Sequence, residues 1–173
     1  MHPDVIRLLE FDTVRHILAG FTSSGPAREL ALGLEVLEDT DGIDLALTQT
    51  AEMLQASERE FRTPAGGVPD VREHVLRAAA GGGPLEGQAL WHVATLCEAA
   101  TGVAAGLARV AQGYPSLGAL GARIPPVKDV EKRVKAAVDA SGRVMDKASP
   151  RLAELRRRIL ALRRKIEDTL VSL

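Results

Sequence analysis

Ser149-Pro150-Arg151-Leu152-Ala153-Glu154-Leu155-Arg156-Arg157-Arg158-Ile159-Leu160-Ala161-Leu162-Arg163-Arg164-Lys165-Ile166 is the stretch that decides how this chain is read. Ser149 suits an N-cap, Pro150 suits the first helical position, and no breaker follows, so one long helix is predicted. Its apolar residues Leu152, Leu155, Ile159, Leu162 and Ile166, continued by Thr169-Leu170, alternate three and four apart. That spacing is a heptad seam, a stripe made to be buried against a partner helix. The triplets Arg156-Arg157-Arg158 and Arg163-Arg164-Lys165 repeat in phase with the seam, on its flanks and far side. The pattern still runs at Leu173 without a C-cap Gly, so a helical arm belonging to a longer protein is expected.

Composition supports a helical body for this arm. The chain has 173 residues, enough for one domain with a real core plus an attached element. Hydrophobic residues reach 46% but aromatics only 3%, which favours a core of Leu, Val, Ala and Ile on packed helices over a sheet. The net charge of -1 gives no global footprint for nucleic acid, so the basic charge is local to the last helix. The single cysteine, Cys97, excludes an internal disulfide and fits a reducing, cytoplasmic setting. Charges at Asp4, Arg7, Glu10 and Asp12 interrupt any signal-like run, and no uninterrupted apolar stretch nears the roughly 20 residues of a membrane span.

Working back from the arm, the segment 138–146 (Val-Asp-Ala-Ser-Gly-Arg-Val-Met-Asp) reads as a short β-hairpin, with Gly142 supplying the positive φ of its turn. Before it, Lys128 to Val138 is a charged amphipathic helix with Val130, Val134 and Val138 inward. Glu86 to about Ala111 is the longest central helix, where Gly102 and Gly106 mark points of close approach. Tyr114-Pro115 ends it, and Leu117 and Leu120 form a connector to Ile124-Pro125-Pro126. Gly81-Gly82-Gly83-Pro84 and the Pro/Gly-rich segment 63–69 are the sharpest breaks. Helices are also predicted from Asp70 with Val71, Val75 and Leu76 inward, from Thr40 as N-cap to about Arg59, from Ser24-Gly25-Pro26 onward, and in two pieces up to Phe21. The first of these pieces carries Val5, Leu8 and Leu9. The fold class is therefore all-α: a helical core over residues 1–148, a short β-hairpin at its end, and a long C-terminal helix over residues 149–173.

No catalytic or metal-binding constellation emerges. His2, His16, His74 and His92 are scattered and lack the i, i+4 spacing of a helical metal pair. Cys97 sits among apolar neighbours without a local base, which describes an inert thiol. Asp39, Asp41 and Asp44 belong to a helix start, and the glycine run at 81–83 is not followed by the Lys and Ser/Thr of a phosphate-binding loop. Two readings of the arginines remain. Arg156, Arg157, Arg163 and Arg164 can contact phosphates of a nucleic-acid backbone, without base stacking because no aromatic lies between Arg151 and Leu173. Alternatively they are solvated flanks of a dimerisation or interaction helix that makes no nucleic-acid contact.

Leu9-Glu10-Phe11-Asp12, the segment 23–32 (Ser-Ser-Gly-Pro-Ala-Arg-Glu-Leu-Ala-Leu), Gln49-Thr50-Ala51-Glu52, the segment 67–72 (Gly-Val-Pro-Asp-Val-Arg) and above all Asp139-Ala140-Ser141-Gly142-Arg143-Val144 through Leu152 carry a resemblance. In this order they resemble the N-terminal core and first lever helix of the second bacterial MutS family. Leu34-Glu35-Val36 and Leu85-Glu86-Gly87 depart from that pattern, both at loops. The resemblance implies an ABC-type ATPase with ATP and Mg, and usually a nuclease-like Smr module, both outside this chain, so no enzyme activity is expected of the chain itself. It implies a full-length homodimer without a membrane, whose partners are branched DNA, in suppression of homologous recombination, or stalled ribosomes and their rRNA. The Phe-x-Glu of mismatch-probing relatives is missing: Phe11, Phe21 and Phe61 are followed two places on by Thr13, Ser23 and Thr63.

Overall fold

The computed structural model describes residues 8–59, 61–62 and 66–171. Val5 of the first predicted piece and His2 therefore lie outside the described residues, as do residues 63–65 of the break at 63–69. The helices are α1 (Phe11–Gly20), α2 (Gly25–Leu32), α3 (Thr40–Glu58), α4 (Arg72–Ala79), α5 (Gly87–Val110), α6 (Pro115–Ala122), α7 (Lys128–Ala137) and α8 (Pro150–Val171), with a 3-10 turn at Asp146–Ala148 before α8.

Helix α5 is the axis of the body. Both α6 and α7 pack along it, α3 closes on α6, and α1 pairs with α2. The core gathers Ala56, Phe61, Leu107 and Leu117, with Met53, Val103, Val110 and Tyr114 packed around them. Small residues set the spacing. A methyl on Gly106 would meet the Phe61 ring at 3.0 Å, and one on Gly121 would meet Leu107 Cβ at 2.8 Å. Gly106 thus marks a close approach, as its place in a helix suggested, but the neighbour is a ring rather than a second helix. By length and composition α5 could also cross a membrane, which corrects the expectation that nothing nears a span. Ala89, Ala94, Cys97, Gly106 and Leu107 are buried on it, and Lys135 of α7 binds its Glu98 at 2.7 Å. Those contacts make α5 the central helix of a packed body.

The helix starts follow local chemistry. Ser24 Oγ accepts the Ala27 N–H, and Asp39 Oδ2 accepts the Gly42 N–H at 2.6 Å, so Asp39 rather than Thr40 is the cap of α3. The predicted connector at Leu117 and Leu120 is a helix, α6. Pro115 begins it at its first position, and the Leu117 N–H donates to Glu52 Oε2 of α3 at 2.9 Å. A carboxylate 65 residues away therefore does the work of a cap, favoured by the helix dipole. Glu52→Ala is expected to lower stability by about 0.5–2 kcal/mol, as loss of a cap does, in a denaturant unfolding curve. At α4 the expectation holds for Val71, which is buried just before the helix, and fails for Val75 and Leu76, which are exposed.

The predicted β-hairpin is not there. No strand occurs among the described residues; a single antiparallel bridge joins Val138 to Val144. The physical cause is Asp139, whose Oδ1 accepts the Ser141 and Arg143 N–H groups, both at 3.0 Å, drawing the chain into a side-chain-closed turn. Helix α7 also runs to Ala137 and the 3-10 turn begins at Asp146, so too few extended residues are left for a ladder. Gly142 does take a positive φ, 78°, as the turn reading required.

Candidate nucleic-acid interface

The turn at 139–145 roots the long helix. Its Gly142 lies against the first residue of α5 so closely that a methyl on Gly87 would overlap the Gly142 carbonyl oxygen. A methyl on Gly142 would meet the Gln88 nitrogen at 2.7 Å. The Met145 N–H donates to the Ala137 carbonyl at 2.8 Å and ties the far side of the turn to α7. Arg156 then reaches back from the second turn of α8. Its Nη1 donates to the Val144 carbonyl at 2.8 Å and to Asp146 Oδ1 at 2.5 Å.

Beyond that point the helix stands alone. Leu152, Ala153 and Arg156 are partly buried at the root, whereas every side chain from Arg157 to Leu170 is exposed. The seam residues Leu155, Ile159, Leu162 and Ile166 are 47–60% exposed, and Leu170 67%. Twenty-two residues make an arm about 33 Å long at 1.5 Å per residue.

The four arginines singled out from sequence do not share one environment. Arg156 is a fastener of the root. Arg157 lies along its own helix, with Nε donating to the Ala153 carbonyl at 3.4 Å. Arg163 and Arg164 have no hydrogen bond or ion pair among the described residues. Sequence reasoning missed two further cations. Arg143 and Lys147 line an open cleft of about 630 Å³ together with Val144, Met145, Asp146 and Arg156. Both were visible only as turn residues, and nothing in their spacing showed that they share a cleft with Arg156.

Charge is strongly polarised along the chain. Residues 143–165 hold nine of its 22 Lys and Arg and two of its 23 Asp and Glu, residues 1–142 hold 13 and 19, and Glu167 and Asp168 lie near the end of α8. A basic arm projects from an acidic body, which a net charge of -1 conceals.

A second polar cluster is structural. Arg72 makes a fork with Glu29, Nη1 to Oε2 at 2.6 Å and Nη2 to Oε1 at 2.8 Å, while Nη2 also binds Asp70 Oδ2 at 2.5 Å. This brings two of the sequence stretches quoted above, 23–32 and 67–72, into contact. Hydrogen bonding from Arg72 holds Asp70 down at about 2 and also lowers Glu29. Carboxylates depressed in the folded state contribute stability above their ordinary values and lose it as pH falls through the folded ones. The chain should therefore destabilise on acidification from about pH 4.5 towards 2. Arg72→Ala should flatten that dependence in unfolding curves taken across the window.

Other reactive groups are accounted for. Burial pushes the Cys97 thiol up, with the Glu131 charge adding to it, the opposite of an activated nucleophile. The His74 and His92 rings lie tilted by 35° with centroids 6.4 Å apart, and no group of three metal-ligating side chains exists among the described residues.

No family model matches the chain. It is similar, along 98% of its length and at 31% identity, to a protein named endonuclease MutS2 from Symbiobacterium thermophilum. Proteins of the same name from Geobacillus thermodenitrificans, at 32% identity over the whole chain, and from Halalkalibacterium halodurans, at 28% over 96%, match likewise. The chain spans about a fifth of the length of these relatives.

Proposed function

We propose, on the premise that this chain is a segment of a MutS2-family protein, that it is the N-terminal core and lever of such a protein and presents a basic arm to nucleic acid. In the whole protein the arm would transmit the nucleotide state of an ATPase to a clamp around branched DNA or a stalled ribosome. The observation that carries the reading is the arm itself: an exposed helix with two cation triplets, seated on a body of opposite charge. Fixed cations on a straight helix match backbone phosphates in a sequence-independent way. A core helix and a fastened turn at its base suit a lever, since a rotation of the body is carried along a helix that bends little.

The test is binding of the chain to a branched DNA junction and to ribosomes, each at low and physiological salt. Arg157→Glu, Arg163→Glu and Arg164→Glu combined should abolish a salt-sensitive interaction while helix content by circular dichroism is kept. Arg156 is left out of this set, because its loss would unfasten the root. Absence of binding by the unaltered chain to either target would defeat the reading.

A second reading is favoured by the exposure of Leu155, Ile159, Leu162, Ile166 and Leu170. These residues form a helix-partner seam, and the segment is then an interaction scaffold whose arginines stay in solvent. Leu155→Asp with Leu162→Asp would abolish assembly under that reading and leave salt-sensitive nucleic-acid binding intact under the first.

A further inference from the structure

We propose that the cleft between the 139–147 turn and the start of α8 is a phosphodiester-binding site, with Arg143 and Lys147 as its phosphate donors and Arg156 as the positioning residue. The inference rests on the nucleic-acid reading above and goes beyond it by placing a grip at the base of the arm in addition to the contacts along its face.

Three cations from three elements, the turn, the 3-10 turn and α8, line one open cleft against a single carboxylate, Asp146. That carboxylate is already bound by Arg156 at 2.5 Å. The Arg143 side chain is 78% exposed, and its one ion pair among the described residues, to Asp139, is long at 3.5 Å. The Asp139 carboxylate is meanwhile occupied by Ser141 and by the Arg143 N–H, which hold it below its ordinary value. Lys147 has no ion pair among the described residues. Both head groups are thus available to an incoming anion.

The frame around them is already set. Arg156 Nη1 is fixed by two hydrogen bonds, and the Gly142 turn is seated on the start of α5. Binding therefore orders little more than two side chains, which keeps its entropic cost low. No aromatic lines the cleft, so a base has nothing to stack on there, and the chemistry selects the sugar-phosphate backbone. Beyond the cleft the cationic surface continues along α8 through Arg157, Arg163 and Arg164. A polymer can follow it further than a single small anion can.

The experiment compares the unaltered chain with Arg143→Glu/Lys147→Glu and Arg163→Glu/Arg164→Glu, by anisotropy of a labelled DNA duplex over a salt series. Arg143→Gln/Lys147→Gln serves if the reversed pair disturbs folding. The cleft pair should weaken binding roughly tenfold or more and reduce the slope of log affinity against log salt by about 2. Full binding by the cleft pair alongside loss in the lever pair overturns the proposal and leaves the wider reading standing. No binding of the duplex by the unaltered chain overturns the proposal, and the junction and ribosome assays then decide the wider reading. Displacement of the duplex by inorganic phosphate at a concentration too low to act through ionic strength would mark a small-anion pocket and also overturn it.

Discussion

Gly142→Ala is expected to be among the most damaging single changes in this chain, although it adds only one methyl. The residue sits at φ 78°, where a side chain costs roughly 1–2 kcal/mol. Its new methyl would also lie 2.7 Å from the Gln88 backbone nitrogen, and backbone cannot swing aside as a long side chain does. Overpacking of that kind costs about 1–3 kcal/mol, so a total of about 2–5 kcal/mol is expected. For a domain of this size that corresponds to a fall in melting temperature of roughly 5–15 °C. Gly87→Ala should reproduce the overpacking part, because its methyl would run into the Gly142 carbonyl oxygen. Gly20→Ala is the control: nothing lies within 4 Å and the residue ends α1, so it should be neutral or slightly stabilising. The consequence for function is local. A turn pushed off α5 loses its seat, and with it the fixed geometry that Arg156 holds between Val144, Asp146 and α8.

Phe61→Ala is expected to cost about 3–5 kcal/mol, the usual range for removing a buried aromatic. Phe61 follows α3 in sequence, and its backbone N–H returns to the Ala56 carbonyl at 3.1 Å. That bond folds the ring back over Gly106 among Ala56, Leu107 and Leu117. Gly106→Val tests the same contact from the other side. A double change to Phe61→Leu and Gly106→Ala should recover part of the loss, since the smaller side chain makes room for the methyl. Denaturant unfolding of the two single variants and the pair would measure that coupling. Strict additivity would show that the ring and the glycine do not constrain each other.

Much of the body was legible because its signals are local. The cap Ser24 with Pro26 after it, the apolar spacing from Gly87 to Val110 and the Ser149-Pro150 start each act within a few residues, and helices stand there. The misreadings have a common cause. At 138–144 the pattern of Val, Asp, Ser-Gly and Val satisfied a hairpin rule, but the Asp139 side chain closed the turn on the Ser141 and Arg143 N–H groups and only one bridge formed. At 115–122 Pro115 was read as an end, although a proline is equally a beginning, and the missing information was Glu52, 65 residues away.

The arm divides in the same way. Its helical state, its heptad seam and the phase of its two cation triplets are properties of consecutive residues, so the order of amino acids alone determined them. Which cations work as fasteners and which are available to a partner was decided only by tertiary structure. Arg156 and Arg163 occupy equivalent places in the repeat, yet one is bound to Val144 and Asp146 while the other projects into solvent. The difference lies in what the folded turn places beside each of them. Arg143 and Lys147 share a cleft with Arg156 for the same reason, because a glycine contact between residues 87 and 142 seats on α5 a turn that no local rule connects to the helix.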